Sequence, residues 1–335
     1  MRPHPAARPS TAPASGMLGG LRRRARTAAY GTATGRLLPR IALGTDTRRP
    51  TVVLGAGEVR AEITDTWSLI GWDPVRVVVG LDPDDPLTVA LSPGAEAVLG
   101  VAPGTRSGPR WRGHATATDP LGLLLLKVEG TWEAAGRVVH LLRATDAESH
   151  LLRSRQAWAR RSRGGAADPI ESVAWTVPRP IGLVTTAQGE DEHIFPADLC
   201  GSLGGGVFAM GLGPGSASLA AIEDSRQFTW STVDASAGRS AHDLRIGHRR
   251  RTPGALSADV RHFKRSPELD LPLPMWALRA SELSLVEVRR GDRAVVLARV
   301  IKTTRIRNAE VLAHLHRDAL AWRQAAGWAT KVLGD

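Results

Sequence analysis

The feature that most constrains the fold is an internal repeat, because two stretches of the chain show the same order of segments. Each has a short strand-like segment, a turn, an apolar run and then Gly-Leu. Each then passes through small residues to another apolar strand, at 97–101 in the first copy and at 228–233 in the second. A chain that contains one structural unit twice is expected to fold as two similar domains. The two matching stretches are Trp67–Leu81 and Gly201–Leu212.

The repeat resumes with a pair of long apolar strands in each copy. The first copy places them at 123–128 and 136–142, and the second at 283–288 and 294–301. Near-alternation of apolar and polar residues in the second pair predicts strands of a closed or partly closed sheet. Residues 290–292, Arg-Gly-Asp, form a hairpin signal between them. The predicted fold class is therefore β-rich, mainly β with a few helices, without the steady β-α alternation of a doubly wound fold.

The few predicted helices also recur between the copies. They are 216–224 and 308–325, with counterparts near 85–95 and 146–160. His314 and His316 lie two apart on the helix predicted at 308–325, so they do not share a helical face and are predicted to be solvated. Four tryptophans at matching places are predicted to anchor the two cores: Trp111, Trp158, Trp276 and Trp322.

The net charge of +11 is concentrated at the start of the chain. Residues 1–50 hold ten arginines, no lysine and the single acid Asp46, so they carry +9 and leave +2 for residues 51–335. A nucleic-acid-binding domain needs a basic face on its folded part, so this nearly neutral body argues against nucleic acid as a partner. Residues 1–40 lack an apolar period, and their Arg-rich composition predicts a disordered tail. A targeting peptide and an arm for an acidic partner stay open as alternatives.

Composition excludes several other classes of protein. A single Cys among 335 residues rules out a disulfide framework and a multi-Cys metal site. No apolar run approaches the ~18 residues of a membrane-spanning helix, so we expect no membrane partner and a cytoplasmic location. Residues 52–57 resemble a strand that enters a dinucleotide-binding turn, but Arg60 stands where the third glycine is required.

Residues 178–201 carry a familiar pattern. Pro178–Thr186 reads Pro-Arg-Pro-Ile-Gly-Leu-Val-Thr-Thr, and His193–Gly201 reads His-Ile-Phe-Pro-Ala-Asp-Leu-Cys-Gly after an acidic turn. This opening resembles the flavin reductase-like, FMN-binding split β-barrel family, in which a strand ending in Val-Thr-Thr leads through a turn into a second strand. The stretch 276–300, with its Gly-Asp turn, also resembles that family. The resemblance covers about 178–325, and the first copy resembles a worn version without Val-Thr-Thr.

The resemblance implies a fold, a cofactor and an activity. Family members are homodimers that bind FMN where two barrels meet, so a fused tandem implies a duplicated split β-barrel that forms a single-chain pseudodimer, either monomeric or paired as a homodimer. The implied domains are a degenerate split barrel at 41–160 and an FMN-binding one at 170–330, with the Gly-rich stretch 161–169 as linker. The implied activity is that of an oxidoreductase that passes hydride from NAD(P)H through FMN to a small-molecule electron acceptor.

The second copy offers two segments rich in glycine and hydroxyl groups to a phosphate. These are Cys200–Ser202 and residues 213–218, the latter at a predicted helix start. Many family members place Lys or Arg close to the second segment, whereas here the nearest basic cluster downstream is at 245–251, which includes Arg245 and Arg249. In the first copy the equivalent loop contains Asp82, Asp84 and Asp85, which would repel phosphate. We therefore expect at most one flavin per chain.

Nine residues are predicted to contact the cofactor, and no catalytic residue or metal ligand is predicted. Structural roles stay open for most of them: the serines can cap a helix, the threonines can be ordinary strand residues, and the aspartate can cap a turn. Cys200 is predicted to be an inert buried thiol. The nine residues are Thr185, Thr186, Asp198, Leu199, Cys200, Gly201, Ser202, Ser216 and Ser218.

An alternative function belongs to a different class. The missing phosphate cation and the worn first copy also fit a non-catalytic split barrel. Such a protein would bind haem, a deazaflavin or another small molecule, or a protein partner.

Overall fold

The computed structural model describes the chain in separate stretches: 41–45, 50–72, 75–102, 123–145, 177–188, 191–238, 240–241, 244, 262–316 and 331–332. Several sequence predictions lie outside these residues. They are the tail at 1–40, the linker at 161–169, the helix near 146–160, the basic cluster at 245–251, and the tryptophans at 111, 158 and 322. The domain boundaries at 41–160 and 170–330 stay predictions.

Strands make up most of the described structure. In the first half they are β1 (Ile41–Thr45), β2 (Thr51–Ala56), β3 (Val59–Glu62), β4 (Trp67–Trp72), β5 (Val75–Leu81), β6 (Glu96–Ala102), β7 (Leu123–Ala134) and β8 (Arg137–Ala144). In the second half they are β9 (Arg179–Pro180), β10 (Gly182–Gln188), β11 (Asp191–Ala197), β12 (Cys200–Ser202), β13 (Val207–Leu212), β14 (Gln227–Val233), β15 (His262–Arg265), β16 (Pro272–Pro274), β17 (Ala277–Arg289), β18 (Ala294–Arg305), β19 (Ala313–His316) and β20 (Lys331–Val332).

Two short α-helices occupy equivalent places in the halves. Helix α1 (Pro86–Ala90) follows β5, and helix α2 (Ala217–Ser225) follows β13. Asp85 caps α1 by accepting from the Leu87 amide, and Ser216 caps α2 by accepting from the Leu219 amide. The prediction of a helix at 216–224 is confirmed. The helix predicted near 85–95 is shorter, because the chain turns and enters β6.

The two large sheets have the same topology. The first has the order β3-β2-β6-β7-β8-β5-β4, and the second has the order β11-β10-β14-β17-β18-β13-β12. Strand by strand along the chain these orders are identical, and every pairing in both sheets is antiparallel. Each sheet curls into a half-barrel, so the fold is the duplicated split β-barrel that the repeat predicts. The segment 52–57 begins the β2–β3 hairpin, which confirms that it is not a dinucleotide-binding turn.

The halves meet through two reciprocal contacts that relate them as a pseudodimer. The register of β4 on β5 and of β12 on β13 makes Gly80 equivalent to Gly211 and Ile70 equivalent to Leu203. A Cβ added to Gly80 would lie 2.5 Å from the Leu203 carbonyl oxygen, and one added to Gly211 would lie 2.0 Å from the Ile70 carbonyl oxygen. Contacts of this reciprocal kind are the mark of a two-fold interface. We call this contact region the seam.

Apolar side chains from both halves form a common core at the seam. Its members correspond between the halves through the strand registers, so that Val78 matches Ala209 and Val139 matches Val295. Two further residues of the second half, Val177 and Leu199, pack in the core of the first. Burial of this apolar surface stabilises the pseudodimer by roughly 25 cal/mol per Å² removed from water.

A small sheet with the order β20-β1-β19-β9 also joins the halves. Leu43 of β1 pairs with His314 of β19, and His314 pairs on its other side with Arg179 of β9. The prediction of a helix at 308–325 is therefore wrong for residues 308–316. The chain is irregular from 308 to 312 and then forms the strand at 313–316. Edge pairing with two distant strands overrides the local preference of this segment. Residues 317–325 lie outside the described structure.

The interior of the first barrel contains a histidine where the second barrel has an apolar residue. His140 is fully buried, and the strand registers make it equivalent to Val296. Thr131 Oγ1 donates to the Leu91 carbonyl, so it accepts from Nδ1 of His140 at 3.0 Å. Nε2 has no partner in the structure. Burial lowers the pKa of His140, an effect that the Leu91 carbonyl and Asp85 oppose only partly.

Substitution of the seam glycines tests the reciprocal contact. Gly211→Ala and Gly80→Ala should each destabilise the chain by roughly 2–3 kcal/mol, because the new methyl group meets a main-chain carbonyl that cannot rotate away. Gly215→Ala is the matched control, since nothing lies within 4 Å of its added Cβ. Urea unfolding measures all three variants. Equal stabilities for Gly211→Ala and the control would refute the close approach.

The buried histidine predicts a pH dependence of stability. Because burial lowers the pKa of His140 in the folded state, its contribution is present above the ordinary pKa of 6.5 and is lost as the pH falls below that value toward the folded pKa. Between pH 7 and pH 5 this loss amounts to at most about 2 kcal/mol. His140→Val copies the second barrel and should remove that part of the pH dependence. Urea unfolding at both pH values checks it, and an unchanged difference between them would contradict it.

Candidate anion site at the seam

The loop between β13 and α2 presents an open surface at a helix N-terminus. A Cβ on Gly213 would have only the Ser216 side chain within 4 Å, and one on Gly215 would meet nothing. The Ser216 hydroxyl caps α2 by accepting a hydrogen bond from the Leu219 amide at 3.2 Å, which uses one of its two acceptor lone pairs. Open glycines and the positive end of a helix dipole together favour an anion at this loop.

A cation stands beside this loop, although the sequence showed none near it. Arg293 immediately precedes β18 in the β17–β18 turn, and its Nη1 donates to the Gly211 carbonyl at 3.5 Å. Arg293 forms no ion pair with any described residue. Burial lowers the pKa of its guanidinium, Asp198 nearby opposes that shift, and Arg76 adds to it. Among the described residues, Arg293 is therefore a desolvated positive charge without a carboxylate in an ion pair with it.

The equivalent place in the first half is closed by a carboxylate. Arg137 is the equivalent of Arg293, and its Nη2 donates to the Gly80 carbonyl at 2.8 Å. Its Nη1 pairs with Asp82, which holds the position equivalent to Gly213. The first half therefore neutralises its arginine internally, and the second half does not. The prediction that Asp82 lies in the equivalent loop is confirmed.

Arg137 also reaches across the seam. A Cβ on Gly205 would lie 2.7 Å from its Cδ, and one on Gly204 would lie 3.2 Å from its Nη2. Both glycines have a positive φ, which L side chains rarely adopt. The β12–β13 turn can thus wrap around a side chain of the other half.

A second ion cluster crosses the seam on the side of Arg293. Arg76 is buried, and its Nε donates to Glu129 at 2.9 Å. Its Nη2 donates at 3.2 Å to Asp292, the neighbour of Arg293 in the second half. Asp292 pairs with Arg76 and not with its neighbour Arg293, whose guanidinium contacts the Gly211 carbonyl.

Asp198 lies in a polar network. Its Oδ2 accepts from Nδ1 of His314 at 2.7 Å and forms an ion pair with Nη2 of Arg179 at 3.3 Å. The prediction of a solvated helical His314 is wrong, because this residue lies on β19 with 14% of its side chain exposed. The side chain of His316 lies outside the description.

The two threonines of the Val-Thr-Thr motif lie on opposite faces of β10. Thr186 is fully buried and contacts Ser225 Oγ at 2.6 Å, at the end of α2 remote from Ser216. Thr185 is fully buried beside Thr229, and neither hydroxyl has a partner in the structure. A nine-residue helix spans about 13 Å, so Thr186 and Ser216 do not share one small anion.

The remaining predicted cofactor residues fall into three settings. Leu199 and Cys200 are core residues, the first in the core of the first half and the second in that of the second. Gly201 packs against Ser68 across the seam, 3.2 Å from its Oγ to the position of an added Cβ. Ser202 is exposed and accepts the Gly204 amide, and Ser218 is buried. Their contact with a flavin stays a prediction.

The described residues offer neither a metal-binding cluster nor a membrane-spanning helix. No group of three or more His, Cys, Asp or Glu side chains there could hold a metal ion. Within those same stretches no helix is long and apolar enough to cross a membrane.

Comparisons with solved structures find FMN-binding proteins and flavin reductases. An FMN-binding protein of Thermus thermophilus shares 20% identity over 46% of this chain and 91% of its own, with a TM-score of 0.38. The flavin reductase component of a bacterial two-component tryptophan halogenase shares 18% over 48% and 94%, with a TM-score of 0.38. An NADH:FAD oxidoreductase of Streptomyces globisporus shares 20% over 45% and 94%, with a TM-score of 0.38.

No protein-family model and no curated protein sequence matches the chain. The matched structures are of the split-barrel kind that residues 178–325 resemble. At these identities and TM-scores they carry no argument about activity, which must rest on the residues of this chain.

The buried thiol supplies a prediction for this region. Burial, with a smaller contribution from Asp198, raises the pKa of Cys200. Since the thiolate is the reactive form, the folded chain should resist iodoacetamide at pH 8 and react fully once urea unfolds it. Mass spectrometry of the alkylated protein measures both states. Rapid alkylation of the folded chain would place this side chain at the surface instead of in the core.

Proposed function

We propose that this chain is an FMN-binding flavoprotein with one flavin per chain, held at the seam with its phosphate at the Gly213–Ser216 loop beside Arg293. The observation that carries the proposal is the difference between the halves at one position. Asp82 neutralises Arg137, whereas Gly213 leaves the equivalent Arg293 without a carboxylate. A dianionic phosphate at the loop would supply the missing negative charge.

The residues of this loop fit a phosphate in charge and in space. Gly213 and Gly215 leave room for its oxygens, and the amides at the start of α2 point toward it. Arg293 is partly desolvated, so its attraction for an anion is stronger than that of a surface arginine. Asp198 is the nearby opposing charge, and it already pairs with Arg179.

The proposed activity is that of a flavin reductase-like oxidoreductase. A bound flavin would carry a hydride from NAD(P)H to a small-molecule acceptor, and the protein would position both partners and exclude water. The seam suits this task because apolar residues of both halves pack there into one core. We further propose that the enzyme acts in the cytoplasm.

A titration with FMN and riboflavin tests the placement of the phosphate. Wild type should retain about one FMN per chain and prefer FMN to riboflavin. Gly213→Asp copies the first half and should weaken FMN binding roughly 10- to 100-fold, because a carboxylate takes the place of the phosphate beside Arg293. Riboflavin binding should change little. Quenching of flavin fluorescence measures each affinity.

Matched variants separate charge from structure in this experiment. Gly213→Ala adds the same Cβ without a charge and should bind FMN like wild type. Arg293→Gln should lose affinity for FMN about as much as Gly213→Asp. Equal FMN binding by Gly213→Asp and Gly213→Ala would move the phosphate elsewhere. A wild-type chain that retains no FMN but takes up haem or a deazaflavin would replace the flavoprotein proposal with a different ligand.

A further inference from the structure

A carboxylate–histidine couple lies close to the proposed flavin site and has no role in holding the phosphate. Nδ1 of His314 donates to Asp198 Oδ2 at 2.7 Å, since a carboxylate can only accept. Arg179 forms an ion pair with the same oxygen, its Nη2 lying 3.3 Å away. A histidine oriented by a carboxylate through Nδ1 presents Nε2 for proton transfer.

Main-chain contacts connect this couple to the anion site. Leu199, which follows Asp198, accepts the Gly211 amide through its carbonyl at 2.8 Å. The Gly211 carbonyl in turn accepts from Arg293, the cation of the loop. Asp198 acts electrostatically on Arg293 as well. The Asp198–His314 couple and the Gly213–Ser216 loop are thus both connected to the segment of β13 at Gly211.

Nε2 of His314 is available for chemistry. It has no hydrogen-bond partner in the described part of the chain, and 14% of the side chain stays exposed. The charged groups known to face it are Asp198 and, from the flanking strand β9, Arg179, with Arg293 beyond Asp198. On the other side β1 pairs with β19 through Leu43, which carries no charge.

We propose that His314 is a catalytic acid–base residue that protonates the electron acceptor, and that Asp198 is its positioning residue. This inference rests on the proposed function. When a quinone is reduced to a hydroquinone it gains one hydride and one proton. Under the proposed function, NAD(P)H would supply the hydride with its electron pair, with a bound flavin as carrier. The proton leaves Nε2 of the imidazolium for a quinone oxygen, and His314 regains a proton from solvent.

Two acceptors separate proton transfer from electron transfer. Ferricyanide takes electrons alone, whereas 1,4-benzoquinone also needs a proton. In FMN-loaded protein, His314→Gln should lower kcat with benzoquinone roughly 10- to 100-fold, within the usual range for loss of general acid catalysis. It should change kcat with ferricyanide less than twofold. Asp198→Asn should lower the benzoquinone kcat by a smaller factor at unchanged KM, because the imidazole loses its orientation.

A second readout does not require flavin or turnover. In the unloaded protein, ¹⁵N NMR should show neutral His314 protonated on Nδ1, and Asp198→Asn should shift it toward the Nε2 tautomer. An equal loss with both acceptors, an unchanged benzoquinone rate in His314→Gln, or a mixed tautomer in wild type would each overturn the inference while leaving flavin binding intact. A wild-type protein without NAD(P)H–ferricyanide activity would overturn the proposed oxidoreductase, and this role with it.

Discussion

The close approach of two main chains at the seam is the constraint on which the rest of this structure depends. Gly80 lies against the carbonyl of Leu203, and Gly211 lies against that of Ile70. Only residues without a Cβ allow strands of the two half-barrels to come this near. The contact brings the apolar faces of both sheets into one core and sets the loops that follow each glycine at the boundary between the halves.

This symmetric frame makes the differences between the halves informative. The carbonyl of each seam glycine accepts from an arginine at the start of, or just before, the last strand of its own sheet. In the first half the arginine meets Asp82, and in the second it meets Gly213. The first half therefore has an internal ion pair at this loop, whereas the second half has an open, positively charged loop. The difference comes from one position, which is Asp82 in the first half and Gly213 in the second. His140 shows the same divergence in the barrel interiors, where Val296 is its counterpart.

Local patterns in the sequence were sufficient for the sheets, the hairpins and the helix after β13. Apolar runs bounded by Gly and polar turns report burial on a sheet directly, and Ser216 is a typical helix cap. The same reasoning failed at 308–316, where a strand forms because β1 and β9 pair with its two edges. It also missed Arg293, which lies far along the chain from the loop that it serves. The only available signal was the recurrence of an arginine after both β-hairpin turns, at 137 and 293.

The sequence by itself determined that the chain repeats one β-rich unit, which half keeps the Val-Thr-Thr pattern, and that acids fill the first-half loop equivalent to residues 213–216. These properties depend on residues close together in the chain, so composition and spacing reveal them. The tertiary structure alone decided that Arg293 borders the second loop, that Asp198 orients His314, and that the predicted contacts Leu199 and Cys200 are core residues. Each of these depends on strands that meet only when the two sheets curl and join at the seam, because electrostatic and packing contacts are set by distance in space.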